Sequence, residues 1–207
     1  MNKQNKNINT GSFWDIRYPI ENINYKDVEF LVENKPDSEG NISDIKDYFF
    51  EKKDDSIKRK IMDLGGGLSL ASERCRRIYP NGEFYSLDIS KNAYQICLNS
   101  FKNITPILSD MENIPFEDKY FDCIFCIQSI EHCNDIEKVL FEINRTLKDN
   151  GDFLLTFPYK WEATYDHNYL LDDFFVENVL SNYFEIKEYK DSYQYRSKFV
   201  HCKKKEI

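Results

Sequence analysis

The chain has 207 residues, enough to bury one substantial core and suited to a single domain of ordinary size. It carries 28 Lys plus Arg against 36 Asp plus Glu, a formal net charge of −8, and its basic run is confined to Lys203, Lys204 and Lys205. Phosphate binding draws most of its affinity from clustered Lys and Arg, so this balance disfavours nucleic acid as a partner. No stretch reaches the roughly 18 apolar residues of a membrane span, so no membrane partner is expected either.

Residues 1–59 read as an N-terminal extension that covers a site on the main body. Its first dozen residues, MNKQNKNINTGS, are polar and Asn-rich, with no apolar core of a signal peptide, and are read as disordered. A cytoplasmic location is expected from that. Trp14, Tyr18, Ile20 and Phe30 add apolar character, and Ile42, Ile45, Tyr48 and Phe49 recur at helical spacing. They predict a helix over 41–52, with Asn41 or Ser43 as its cap.

From Ile61 the pattern becomes regular. IMDL is a short apolar strand; Gly65, Gly66 and Gly67 follow; Ala71, Cys75 and Ile78 then share a helical face that ends at Pro80, Asn81 and Gly82. FYSLDI is a second strand, and Ser90 caps a helix with Ala93, Cys97 and Phe101 inward. ITPILSD is a third strand and FDCIFCIQ a fourth. Ile136, Val139, Leu140, Ile143 and Leu147 make an unbroken helical stripe, closed by Asn150 and Gly151, before a fifth strand, FLLTF. Beyond Pro158 come an aromatic-rich loop, a helix over 172–183, and the strands EIKEY and SKFVHC with no helix between them.

Strands that alternate with helices and are apolar on both faces form a parallel sheet covered on both sides. The last two, joined by a short connection, are expected to be antiparallel at the sheet's edge. Such an edge can pair two chains, so the chain is expected as a monomer or homodimer. Cys123 and Cys126 form a C-x-x-C pair inside a strand, which favours a core role over redox or zinc chemistry, and no metal is assigned.

Three consecutive glycines between a strand and a helix let backbone N–H groups approach a ligand at the positive end of the helix. A P-loop needs Lys and Ser or Thr after its last glycine, where this chain has Leu68 and Ser69. A dinucleotide fingerprint starting at Gly65 needs glycine in place of Leu70. Both phosphate readings weaken.

MDLGGGLS, FYSLDIS, LSDMENIPFEDKYFD and IQSIEHCNDIEKVLFEINRTLKDNGDFLLTF, in that order, resemble the class I S-adenosylmethionine-dependent methyltransferases, in the branch acting on small molecules. The resemblance covers about residues 60–159 and makes 60–207 the methyltransferase domain. It implies a Rossmann-like, doubly wound α/β fold: a mostly parallel seven-stranded sheet with an antiparallel C-terminal edge strand. Ser69 stands where the family has a further glycine, and a serine there can cap the helix.

The resemblance also assigns S-adenosylmethionine as cofactor and gives each part of it a partner. Gly65, Gly66 and Gly67 would meet the methionine portion, with Asp63 fixing the loop and attracting the ammonium. Asp88 would accept both ribose hydroxyls, and Ile89 would lie on the adenine. Asp110 would accept from the adenine amino group, the Met111 N–H would reach a ring nitrogen, and Gln128 would stand beside the sulfonium. His167 and His132 are candidate bases, and Tyr159, Trp161 and Tyr165 candidate walls of the acceptor pocket. His201, on the last strand, reads as structural.

The implied reaction is methyl transfer to a small polar molecule, with O-methylation of a sugar or secondary metabolite first and N-methylation of a small amine next. IQSI at the end of the fourth strand lacks the Asn or Asp plus two prolines of nucleobase amino methylases. A non-catalytic chain that binds the cofactor as a regulatory or partner protein is the reading from a different class.

Overall fold

The computed structural model describes residues 2–3, 10–18, 28, 31–33, 42–52, 54, 56–159, 167–192 and 196–205. In chain order the elements are β1 (Asn2–Lys3), α1 (Gly11–Arg17), α2 (Ile42–Glu51), β2 (Lys60–Leu64), α3 (Leu70–Ile78), β3 (Glu83–Asp88), α4 (Lys91–Ser100), β4 (Ile104–Leu108), β5 (Phe121–Ile127), α5 (Ile136–Thr146), β6 (Leu147–Pro158), β7 (Tyr169–Leu170), β8 (Phe184–Asp191) and β9 (Ser197–Lys204). A 3₁₀ turn, Ile130–His132, follows β5, and between β7 and β8 the chain makes α turns at Asp173–Phe175 and Ser181–Tyr183 around a π turn, Val176–Leu180.

The main sheet has seven strands in the order β4-β3-β2-β5-β6-β9-β8. Pairs from β4 through β6 are parallel, while β9 runs antiparallel to both β6 and β8, so the antiparallel pair closes that side with β8 outermost. Strand order reverses between β2 and β5, and the glycine loop leaves β2 at that point. In open α/β sheets this crevice, at the strands' C-terminal ends, is where ligands bind.

Period-two alternation splits the core into two layers. Met62, Ile124 and Cys126 pack with α5 residues Val139, Leu140 and Ile143 on one face; Ile61, Cys123 and Phe125 pack with α2, α3 and α4 on the other. Cys123 and Cys126, three apart on a strand, therefore point to opposite faces. Both are fully buried and free, and burial pushes the Cys126 thiol up to about 12. A core role explains the C-x-x-C spacing.

Helix α5 ends four residues before the predicted Asn150. Leu147 is buried as predicted, but its backbone is extended (φ −71°, ψ 140°), and it pairs with Phe121 as the first residue of β6. The turn residue Asn150 takes φ 60° within that strand instead of capping the helix. His201 lies against Asp152, at 2.6 Å, with Lys203 on the same carboxylate at 2.8 Å. Burial raises the Asp152 carboxyl, but hydrogen bonds from His201, Lys203 and Tyr48 outweigh it and hold the group below the usual range. The His201 ring is a structural partner there.

Candidate functional site

The three glycines serve different purposes. Gly65 and Gly67 take φ +76° and +51°, in the left-handed region that side chains disfavour. The N–H groups of Gly65 and Gly66 both donate to the Leu87 carbonyl, at 2.8 and 3.0 Å, which folds the loop against β3. A Cβ on Gly66 would lie 2.2 Å from Ser86 Oγ, and one on Gly65 would lie 2.5 Å from Ser129 Oγ. Packing requires glycine there independently of any ligand.

Ser69 departs from its expected use. It adopts φ 57°, and its hydroxyl donates to Ser86 Oγ at 2.8 Å and makes no cap. A residue forced to positive φ explains why glycine suits this position. The helix start is held from β2: Asp63 accepts the Ser72 hydroxyl at 2.7 Å, and the Ser72 N–H faces the same carboxylate. Asp63 is 2% exposed, and burial, opposed by Ser72 and reinforced by the charge of Asp88, pushes its carboxyl up to about 7.

Asp88 ends β3. Its Oδ2 accepts the Gly67 N–H and its Oδ1 the Ser90 N–H, each at 2.8 Å, so one carboxylate ties the loop to the start of α4. Burial raises its pKa, and the backbone donors of Ser90, Gly67 and Ile89 oppose that rise. Each oxygen retains acceptor capacity for a hydroxyl.

Two cavities meet at the loop. The first, about 80 Å³, brings together Gly65, Asp88, Ile89, Met111, Gln128 and His132; the second, about 270 Å³, is lined by Asp63, Gly65, Gly66, Gly67 and Gln128 with Arg74 and Ile42. Tyr18 borders both, and a Cβ on Gly67 would lie 2.6 Å from its hydroxyl. Trp14 walls the first cavity and meets His132 edge-on, with ring centroids 4.8 Å apart. Helix α1 is fastened by Asp15, which accepts from the Ser90 hydroxyl at 2.7 Å and the Asn92 N–H at 3.1 Å.

Asp110 and Met111 lie in the turn after β4. Met111 lines the first cavity; Asp110 lines neither, and its Oδ1 accepts the Glu112 N–H at 2.9 Å. The loop is clamped onto α5 by Arg145, which donates to the carbonyls of Ile114 and Phe116, while Glu142 accepts the Ile114 N–H. Glu112 in turn accepts from Asn134 and Asp135 at the start of α5.

Gln128 leaves β5 at φ 48°, and Ser129 donates to the Leu64 carbonyl at 2.9 Å, joining the ends of β2 and β5. His132 and His167 face each other with ring centroids 4.9 Å apart. Asn168 sets that approach: its N–H donates to the Glu131 carbonyl, and its amide nitrogen to the carbonyls of His132 and Cys133. His167 lines neither cavity. Tyr159 is not brought to the site: its hydroxyl donates to Asp173 at 2.6 Å, and Lys198 lies over its ring. Trp161 and Tyr165 lie outside the described residues. Sequence reading missed Ser129, just past β5, and Ser86, inside β3, small hydroxyls that no local pattern marks in advance.

The chain's own residues fit a nucleoside with an amino-acid tail. Asp88 presents two acceptor oxygens, Leu87, Ile89 and Met111 supply an apolar wall, and the loop admits no Cβ. Small-molecule pockets run to about 300–1,000 Å³, so a ligand of that size needs both cavities, whose linings share Tyr18, Gly65 and Gln128.

Comparison with known proteins agrees with this geometry. The family described as "Methyltransferase domain" matches residues 62–155. The ubiquinone/menaquinone biosynthesis C-methyltransferase UbiE of Idiomarina loihiensis is 28% identical over 150 residues, 68% of this chain and 59% of that protein. A malonyl-[acyl-carrier protein] O-methyltransferase of Legionella pneumophila is 29% identical over 101 residues, 47% of this chain and 36% of that protein. The chain thus spans less than two thirds of the length of these relatives. A solved SAM-dependent methyltransferase from Aquifex aeolicus superposes with a TM-score of 0.68 at 16% identity, covering 87% of this chain and 98% of that one, a likeness of fold. The domain match over 62–155, the shared fold and this loop together support a class I S-adenosylmethionine-dependent methyltransferase.

Proposed function

We propose that the chain transfers a methyl group from S-adenosylmethionine to a small-molecule acceptor at a nucleophilic oxygen or carbon. The observation that carries this reading is Asp88, held by Gly67 and Ser90 in a cavity that His132 also lines. When bound, the sulfonium supplies an electrophilic methyl group and departs as a neutral thioether.

The chain's task is then to hold, orient and keep dry. Asp88 would take the ribose hydroxyls, Ile89 and Met111 would sandwich the base, and the glycine loop and Asp63 would receive the methionine end. Asp110 would act from the turn, on the adenine edge beside Met111. Gln128, held at positive φ, would project toward the reacting centre. Helix α1, with Trp14 and Tyr18, would close over the site, as the N-terminal extension of a methyltransferase domain spanning 60–207. An acceptor that gives up a proton would do so at the His132 and His167 side.

Relatives named as a C-methyltransferase and an O-methyltransferase support carbon and oxygen acceptors alike; a sugar or an amine as acceptor rests on the sequence resemblance alone. No helix among the described residues is long and apolar enough to cross a membrane. The test is calorimetric titration with S-adenosylmethionine and S-adenosylhomocysteine, followed by S-adenosylhomocysteine release against panels of quinols, phenols, carboxylic acids and sugars. Binding with acceptor-dependent release from one class supports the reading, and a chain that binds neither sulfur nucleoside overturns it.

A further inference from the structure

Glu131, His132 and His167 bring one carboxylate and two imidazoles together, with one ligand atom of each lying within 4.8 Å of the others. The first two are neighbours on the 3₁₀ turn after β5, and the third arrives from a segment 35 residues on. The convergence is built by backbone: the Asn168 N–H donates to the Glu131 carbonyl at 2.9 Å, and Tyr169, the next residue, donates its hydroxyl to the Asn134 carbonyl at 2.9 Å. Glu131 is 1% exposed, and the His132 and Glu131 side chains approach to 4.0 Å between Nε2 and Oε1.

We propose that these three residues form a binding site for a first-row divalent cation. Two neutral imidazoles and a carboxylate suit Zn²⁺, Mn²⁺, Fe²⁺ or Co²⁺ and, as three ligands, leave coordination positions open. Metal bonds of about 2.1 Å place neighbouring ligand atoms about 3–3.5 Å apart, a contraction that side-chain torsions supply. Asn168, which ties His167 to the turn, acts as the positioning residue.

Of the three, His132 also walls the first cavity, so an open position on its side would meet an acceptor oxygen held there. There the cation would bind and polarise that oxygen, which the imidazoles acting alone as bases would not do. This use rests on the methyl-transfer reading; the existence of the site does not.

The experiment uses the full chain, stripped by chelator and dialysis. Co²⁺ is titrated with visible absorption as readout, Mn²⁺ and Zn²⁺ by calorimetry, and S-adenosylhomocysteine binding is measured on the same samples. The expected result is one equivalent of cation and visible bands of low-coordinate Co²⁺ with nitrogen ligands. His167→Ala and Glu131→Gln each weaken the cation at least tenfold, while His201→Ala leaves it unchanged. Wild-type chain that takes up no cation overturns the proposal, as does binding that survives in both cluster variants, which would put the ion elsewhere. Should Glu131→Gln fail to fold, His167→Ala alone decides, because His167 lies outside the core layers. A chain that holds the cation but not S-adenosylhomocysteine overturns the cofactor reading and upholds the cation site.

Discussion

Trp14 and His132 meet edge to face, with centroids 4.8 Å apart and planes at 69°, and this contact joins the N-terminal helix to the wall of the first cavity. Such aromatic pairs contribute about 0.5–1.5 kcal/mol beyond burial. Trp14→Ala is therefore expected to loosen α1, speeding limited proteolysis within 11–17 and raising the S-adenosylhomocysteine dissociation rate several-fold in stopped flow. An unchanged dissociation rate would mean that the helix stands outside the ligand's exit path.

Asp88 is the residue proposed to accept the ribose hydroxyls. Hydrogen bonds to charged groups contribute about 1.5–3 kcal/mol each, so losing two to a ribose predicts at least a hundredfold weaker cofactor binding in Asp88→Ala. The Gly67 and Ser90 N–H groups also lose their acceptor, and the melting temperature is expected to fall. Asp88→Asn, which keeps one oxygen, should fall between the two in calorimetric titration.

Asp63 gives a prediction in pH. Its carboxyl, raised to about 7 chiefly by burial, holds its proton more tightly in the folded chain than in the unfolded one. That contribution to stability is complete below the unfolded value of about 3.9 and is lost as pH rises through about 7, at about 1.4 kcal/mol per pK unit. Asp63→Asn keeps an oxygen for the Ser72 hydroxyl and sheds the titration. Its stability relative to the parent chain is expected to climb between pH 4 and pH 7 and then level off. A difference independent of pH across that range would show that the carboxylate is ionised throughout.

Gly65→Ala combines two penalties. A left-handed φ of +76° costs a non-glycine residue about 1–2 kcal/mol, and the new Cβ meets Ser129 Oγ at 2.5 Å. The single variant should lose at least about 2 kcal/mol in urea unfolding. Adding Ser129→Gly removes the contact but not the backbone penalty, so partial recovery in the double variant, analysed as a cycle, separates the two. No coupling between the positions would place the whole effect in the backbone.

Much of this was legible in the chain. Strand and helix order from Ile61 to Phe157 followed from periodicity, and the sequence singles out Asp88 because a carboxylate ending the second strand falls in register with a glycine loop. What the sequence hid has common causes. Leu147 reads as helical because burial recurs at the right spacing, yet its pairing with Phe121 takes the backbone into the sheet. Ser69 reads as a cap because its residue type favours one; its positive φ and its bond to Ser86 are set by tertiary packing. Tyr159 reads as a pocket wall because aromatics cluster there, whereas Asp173, 14 residues away, claims its hydroxyl. The approach of His167 to His132 depends on Asn168 gripping a turn more than thirty residues upstream, which no local pattern reveals.

All six cysteines are free and buried, spread over both layers of the core. None offers a thiolate to a reagent while the fold is closed, since burial holds Cys97, Cys126 and Cys202 in their protonated form at neutral pH. The chain therefore carries its own clock for opening: the rate at which maleimide reaches each thiol, read by mass spectrometry, times the exposure of one layer independently of the other. Cys123 and Cys126, three residues apart, would report from opposite sides of the same strand.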